Sequence, residues 1–179
     1  TRAIAEALDA RRPDPPLFPR DPEPRRAVEE AEAWGDSVYQ PLARRLVWGA
    51  LRFDDSNIRT YLEGARLGIP VAVAAMVAPP IARAAAHINE ANDEHVRRDL
   101  ADLPRMFEQV DGLIRSGTIG GSPWNVADFQ IGTSTALIAT LEDARPLLEG
   151  RPALEHARRV APDYPGWTPK VFPEAWLHA

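Results

Sequence analysis

The sequence predicts an all-α protein, a helical bundle organised around one buried helix. Three observations carry that expectation. Apolar residues recur at spacings of three and four over most of the chain, as in Ala27, Ala31, Trp34, Val38 and Leu42, the period of a helix with one face in a core. No stretch reads as a strand, and there is no internal repeat. From Gly120 to Thr135 a glycine turn runs into a helix start, Gly-Gly-Ser-Pro-Trp-Asn-Val-Ala-Asp-Phe-Gln-Ile-Gly-Thr-Ser-Thr, followed by residues that are apolar on more than one face. A helix apolar nearly all round belongs in the middle of a bundle.

At that helix start Asn125 is the N-cap, its side-chain oxygen free to accept from first-turn amides. Asp128 stands three residues on and completes a capping box with the Asn125 backbone. Trp124 and Phe129 occupy the two positions of a hydrophobic staple.

The remaining elements follow in order. Thr1 to Arg12 is a short helix with Ile4, Ala7 and Leu8 on one side. Pro13-Asp-Pro-Pro-Leu-Phe-Pro then forbids helix and makes an extended linker, anchored by Leu17 and Phe18. A long helix starts near Asp21, tolerates Pro22 and Pro24 in its first turn and is expected to kink at Pro41. Asp54-Asp55-Ser56 caps a helix from Asn57 to Leu67, which Gly68-Ile69-Pro70 ends. Val71 to Asn89 is expected as a helix bent at Pro79-Pro80. Asn92 caps a helix to Arg115 with Val96, Leu100, Leu103, Phe107, Val110 and Ile114 on one face, closed by Ser116-Gly117. The helices of Trp34 and Phe107 are both expected against the central one. Two short helices surround Pro146 and Pro152, and from Pro162 a proline-bearing tail wraps the bundle with Trp167 and Trp176 as anchors.

Composition bounds the chemistry. The 179 residues are 45% apolar with a formal charge of −5, and the arginine pairs are interleaved with acids, so no nucleic-acid footprint is visible. The longest apolar stretch, Ile69 to Ala82, is too short for a bilayer. Cysteine is absent, which removes disulfides, thiolate metal sites and a Cys nucleophile and is compatible with a cytoplasmic protein. His87, His95, His156 and His178 lack the spacing of a metal-binding pair, so no metal is expected. The adjacent carboxylates Glu29-Glu30, Asp54-Asp55 and Asp93-Glu94 point in different directions on a helix and make no acid–base pair. The residues alone therefore disclose no reaction.

The glycine turn, the Asn125 cap and Ala127-Asp128 opening the central helix resemble the start of the core helix in the C-terminal domain of the glutathione transferase family. The front of the chain adds to the likeness: Thr1-Arg-Ala-Ile-Ala-Glu-Ala-Leu and then Leu17-Phe-Pro look like the last helix of a thioredoxin-like domain and the proline-bearing linker after it. The resemblance implies that residues 1–20 close a thioredoxin-like domain whose remainder is missing, and that 21–179 form the helical domain. It implies glutathione as co-substrate and a small hydrophobic electrophile as substrate, with a homodimer admitted. Thr1 would be a glutathione-contacting hydroxyl or a plain N-cap. Trp34, Tyr39 and Trp48 would wall the electrophile pocket or belong to the core. The segment from 54 to 90 is longer than the family's simplest members have, which leaves the substrate class open. Two rivals stand beside this reading: a non-catalytic interaction or assembly module of the same fold, and an unrelated helical small-ligand-binding domain.

Overall fold

The computed structural model describes residues 2–63 and 71–177, with the backbone alone over 71–77. Among them the structure is helical, with no strand and one isolated parallel bridge, Leu141 to Thr168. Helix α1 is Arg2–Arg11, α2 Pro22–Trp34, α3 Gln40–Phe53, α4 Ile58–Leu62, α5 Val71–Ile88, α6 Asp93–Arg115, α7 Val126–Ala139, α8 Arg145–Leu148, α9 Pro152–Val160 and α10 Glu174–Leu177. Thr1, His178 and the Gly68-Ile69-Pro70 stop lie outside the described residues.

Helix α7 sits at the centre, against α9, α3 and α2. Ile131 and Ile138 are fully buried on it, each contributing about 1.5–3 kcal/mol of transfer free energy. The hydroxyls of Thr133, Ser134 and Thr135 donate to the carbonyls four residues earlier, at Phe129, Gln130 and Ile131. That is how three consecutive hydroxyl residues are accommodated on a core helix with their hydroxyls paired, although Gln130 Nε2 on the same helix is buried without a partner. The expected packing of the Phe107 helix on α7 is slight at most. Helix α6 lies against α3, α9 and α10 instead, with Arg45 on α3 forked onto the buried Asp99 of α6 at 2.6 and 3.2 Å.

Helices α2 and α3 are joined without a break by one π-helical turn, Gly35–Tyr39, in which the Gln40 amide donates to the Gly35 carbonyl. The expected disturbance at Pro41 thus lies one turn upstream. Proline cannot donate to the carbonyl four residues back and its ring crowds that group; a wide turn is one way to absorb the misfit. The extra residue also rotates the apolar stripe. Val38, expected on the inner face, is 42% exposed, and Tyr39 takes its place in the core.

Helix α6 ends as Ser116-Gly117 predicts. Gly117 adopts φ +74°, its amide bonds the Ile114 carbonyl, and Thr118 bonds the Leu113 carbonyl, both at 3.0 Å, a Schellman closure. Helix α5 runs through Pro79 and Pro80. The tail does cross the bundle, but Trp167 is 45% exposed and is not a buried anchor. Further along, the tail is held by Phe172, which is buried and packs with Phe53 and Trp176, and by Asp143, whose Oδ2 accepts the Val171 and Phe172 amides.

Candidate functional site

The start of α7 is held by a dense set of side-chain to backbone bonds. Asn125 Oδ1 accepts from the amides of Ala127 and Asp128 at 2.9 and 3.3 Å, and its Nδ2 donates to the Thr118 carbonyl. Asp128, fully buried, accepts the Asn125 amide at 2.8 Å and the Gly120 amide at 2.6 Å. Trp124 and Phe129 meet edge to face with centroids 5.8 Å apart. His156 of α9 is buried beside this box, its Nε2 3.5 Å from Asp128 Oδ1 and neither ring nitrogen within hydrogen-bonding geometry. Burial pushes the imidazole below its usual value, Asp128 pulls it up and Arg159 pulls it down, and burial prevails. The neutral ring is therefore a space-filling neighbour of the box. With both oxygens engaged by backbone donors, Asp128 has no role in proton transfer that this geometry supports.

The linker is bonded to the same place. The Val126 amide, left free by the helix, donates to the Leu17 carbonyl at 2.9 Å, and the Leu17 amide donates to Asp9 of α1. Helix α1 is clipped to α2 by Arg2, which reaches Glu32 Oε2 and the Glu29 carbonyl. Only Ala5 of α1 is buried. Ile4 and Leu8, expected to form its inner face, are 68% and 54% exposed.

No family of known proteins, no curated protein and no solved structure matches this chain.

The aromatic residues singled out by sequence separate into two environments. Trp34 stacks on Tyr39 with centroids 5.0 Å apart and planes at 13°. Tyr39 has no exposed surface and its hydroxyl lies 3.0 Å from Thr135 Oγ1. Because Thr135 donates its proton to Ile131, Tyr39 is the donor in that bond. Burial holds its phenol well above the usual range, so it is a neutral core donor. Trp34 and Trp48 are half-buried and pack against the core from its margin. Thr1 is outside the described residues. Among those residues no group of three or more His, Asp or Glu side chains is placed to hold a metal ion, and no helix is long and apolar enough to cross a membrane.

Sequence reasoning missed a cavity of about 210 Å³ between the end of α7, α9 and the tail. Ala136, Ala157, Ala161, Arg145, Arg158 and Trp167 are among the residues that line it, with Tyr164. The residues come from three separated segments, so no local motif marks them. The one sequence signal was the alanine at facing positions of two helices, which leaves space between them.

Proposed function

We propose that this chain is the helical domain of a glutathione transferase-like protein and supplies the apolar wall against which a small hydrophobic electrophile meets glutathione. The observation that carries the reading is the arrangement of α1, the linker and the α7 cap. A short helix is fixed to the bundle by Arg2 and through Asp9 and Leu17, yet keeps Ile4 and Leu8 in water. Paired large apolar side chains held outward on an anchored helix favour a second surface over them. A thioredoxin-like domain is the occupant that the resemblance implies.

The chemistry divides accordingly. Glutathione is a flexible anionic tripeptide. Holding it takes several oriented donors, and activating its thiol takes a hydrogen bond or positive charge aimed at the sulfur. Those groups belong to the thioredoxin-like part in this reading. The helical part contributes indole surface, from Trp34 braced by its stack on Tyr39 and from Trp48 on the next helix, which desolvates the electrophile and holds it near the thiolate.

A conjugation assay with glutathione and an aryl halide tests the division, run on this chain and on the chain extended by any residues its gene encodes upstream. The expected result is turnover and glutathione binding in the extended protein and neither in the chain alone. Turnover by the chain alone would place the thiol site within these residues. Glutathione binding without turnover in the extended protein would favour an assembly module of the same fold, and no binding would remove the transferase reading.

A further inference from the structure

The cavity between α7, α9 and the tail shares no lining residue with α1, the linker or the α7 cap, and the reading above does not use it. We propose that it is a binding site for a small carboxylate with an aromatic body.

Its shape is built in. Trp167 is tied to Thr60: its amide donates to Thr60 Oγ1 at 2.8 Å, and the one proton of that hydroxyl is shared between the Asn57 carbonyl at 2.8 Å and the Trp167 carbonyl at 2.9 Å. Its indole Nε1 donates to Glu142 at 3.1 Å. On the far side of the tail, Thr168 exchanges backbone bonds with Thr140 and Glu142 at 2.9 and 3.0 Å. Tyr61 lies beneath, its hydroxyl donating to Thr140 and accepting from Thr168 at 2.8 and 2.9 Å, since Thr140 gives its own proton to Leu137. Gly166 crosses the Tyr61 ring so closely that a Cβ there would come within 2.2 Å of it, with φ at +106°. The strap is thereby held in one position, with the Trp167 indole 45% and Tyr164 37% exposed. The fixed Trp167 indole facing water beside alanine lining residues is a surface that gains when an apolar ring covers it.

The charge argues for an anion. Arg145 and Arg158 both line the cavity. Arg145 is paired with Glu142 at 3.2 Å, and Glu142 is shared with the Trp167 indole. Arg158 has no carboxylate within ion-pair distance among the described residues. The residues that line the cavity thus include two arginines and no carboxylate, on a chain of charge −5. A guanidinium offers two parallel donors that match a carboxylate. A cavity of 210 Å³ is smaller than the roughly 300–1,000 Å³ of sites for drug-sized ligands, which sets the size at one ring with a short acidic arm.

Calorimetric titration of the chain with phenylacetate, with phenylacetamide and inorganic phosphate as comparisons, tests the site. Phenylacetate should bind saturably with a change in tryptophan fluorescence that Trp167→Phe removes; the amide and phosphate should bind at least about tenfold more weakly. Arg158→Ala should weaken phenylacetate about tenfold or more, the loss of a charge-assisted bond, with an unchanged unfolding midpoint because the side chain stands in solvent. Absence of saturable phenylacetate binding would overturn the proposal. So would equal binding of the amide, equal binding of phosphate, or an Arg158→Ala variant that binds like the parent. None of these outcomes bears on glutathione turnover.

Discussion

Three buried carboxylates, Asp128, Asp111 and Asp143, do one job: they accept backbone amides that helix starts and turns leave free, whereas buried Asp99 and Glu32 take arginine side chains. Asp128 takes Gly120 and Asn125. Asp111 of α6 takes the Ala153 amide at the start of α9 and pairs with Arg151, standing in for the local cap that Arg151 does not provide. Asp143 takes Val171 and Phe172. Removing such a group strands donors in a dry interior, at about 1–3 kcal/mol for each. Asp128→Ala should therefore lower stability by about 2–4 kcal/mol and Asn125→Ala by about 1–2 kcal/mol, read from denaturant midpoints. The double variant should cost less than the sum, because both residues serve one box. An unchanged midpoint in Asp128→Ala would mean that the box contributes nothing. His156 adds a pH dependence. Its folded-state pKa is depressed, so the unfolded chain binds the proton more readily. Stability is full above the usual value of 6.5 and falls as pH drops through it, by up to about 1.4 kcal/mol per pH unit until the folded ring also protonates. His156→Gln should flatten the stability profile between pH 7.5 and 5; an unaltered slope would assign it to other groups.

At the scale of elements, what was legible in the sequence is what is encoded locally. The Asn125 cap, the Ser116-Gly117 closure and the Asn92 cap, whose Oδ1 accepts the His95 amide, are each written within a few residues. Non-local features were not legible. The π turn between α2 and α3 follows from the misfit of Pro41 together with the close seat of Gly35 on α7, where a Cβ would meet Gln130 Cγ at 2.8 Å. Only the first of those is visible in sequence. The inward turn of Tyr39 and the placement of α6 against α3, α9 and α10 are consequences of packing between distant segments, and so is the cavity. Close approach is also the reason for Gly132 inside α7. A Cβ there would stand 2.9 Å from both Cβ and Cγ2 of Val160 on α9, and a β-branched side chain has little freedom to yield. Gly132→Ala gains up to about 1 kcal/mol in helix propensity but overpacks the α7–α9 contact, at about 1–3 kcal/mol. The expected sign is a net loss of thermal stability. In a Val160→Gly background, which removes Cβ as well as both methyls, Gly132→Ala should cost less than it does in the parent; an equal cost would place the strain elsewhere.

At the scale of the whole molecule, two of the regions of apolar surface that remain in water among the described residues lie on segments that are firmly bonded, and this separates them from frayed ends. One is the Trp167 strap. The other is α1, whose outward residues Ile4 and Leu8 sit on a helix tied to α2 through Glu32 and to the α7 cap through Asp9 and Leu17. If that face serves only the bundle, replacing it should damage the bundle. Its exposure argues the opposite. Ile4→Ser with Leu8→Ser removes apolar area that is mostly solvated already, so the denaturant midpoint should move by less than about 0.5 kcal/mol, as for substitutions away from packed features. The same pair of changes should reduce self-association of the chain, measured by sedimentation, because exposed apolar area is what drives it. In a protein carrying a thioredoxin-like domain the pair should also loosen that domain, seen as faster proteolysis between the two parts with each part still folded. A large loss of stability in the chain alone would show instead that α1 packs with these residues inward, and the docking role proposed for that face would fall with it.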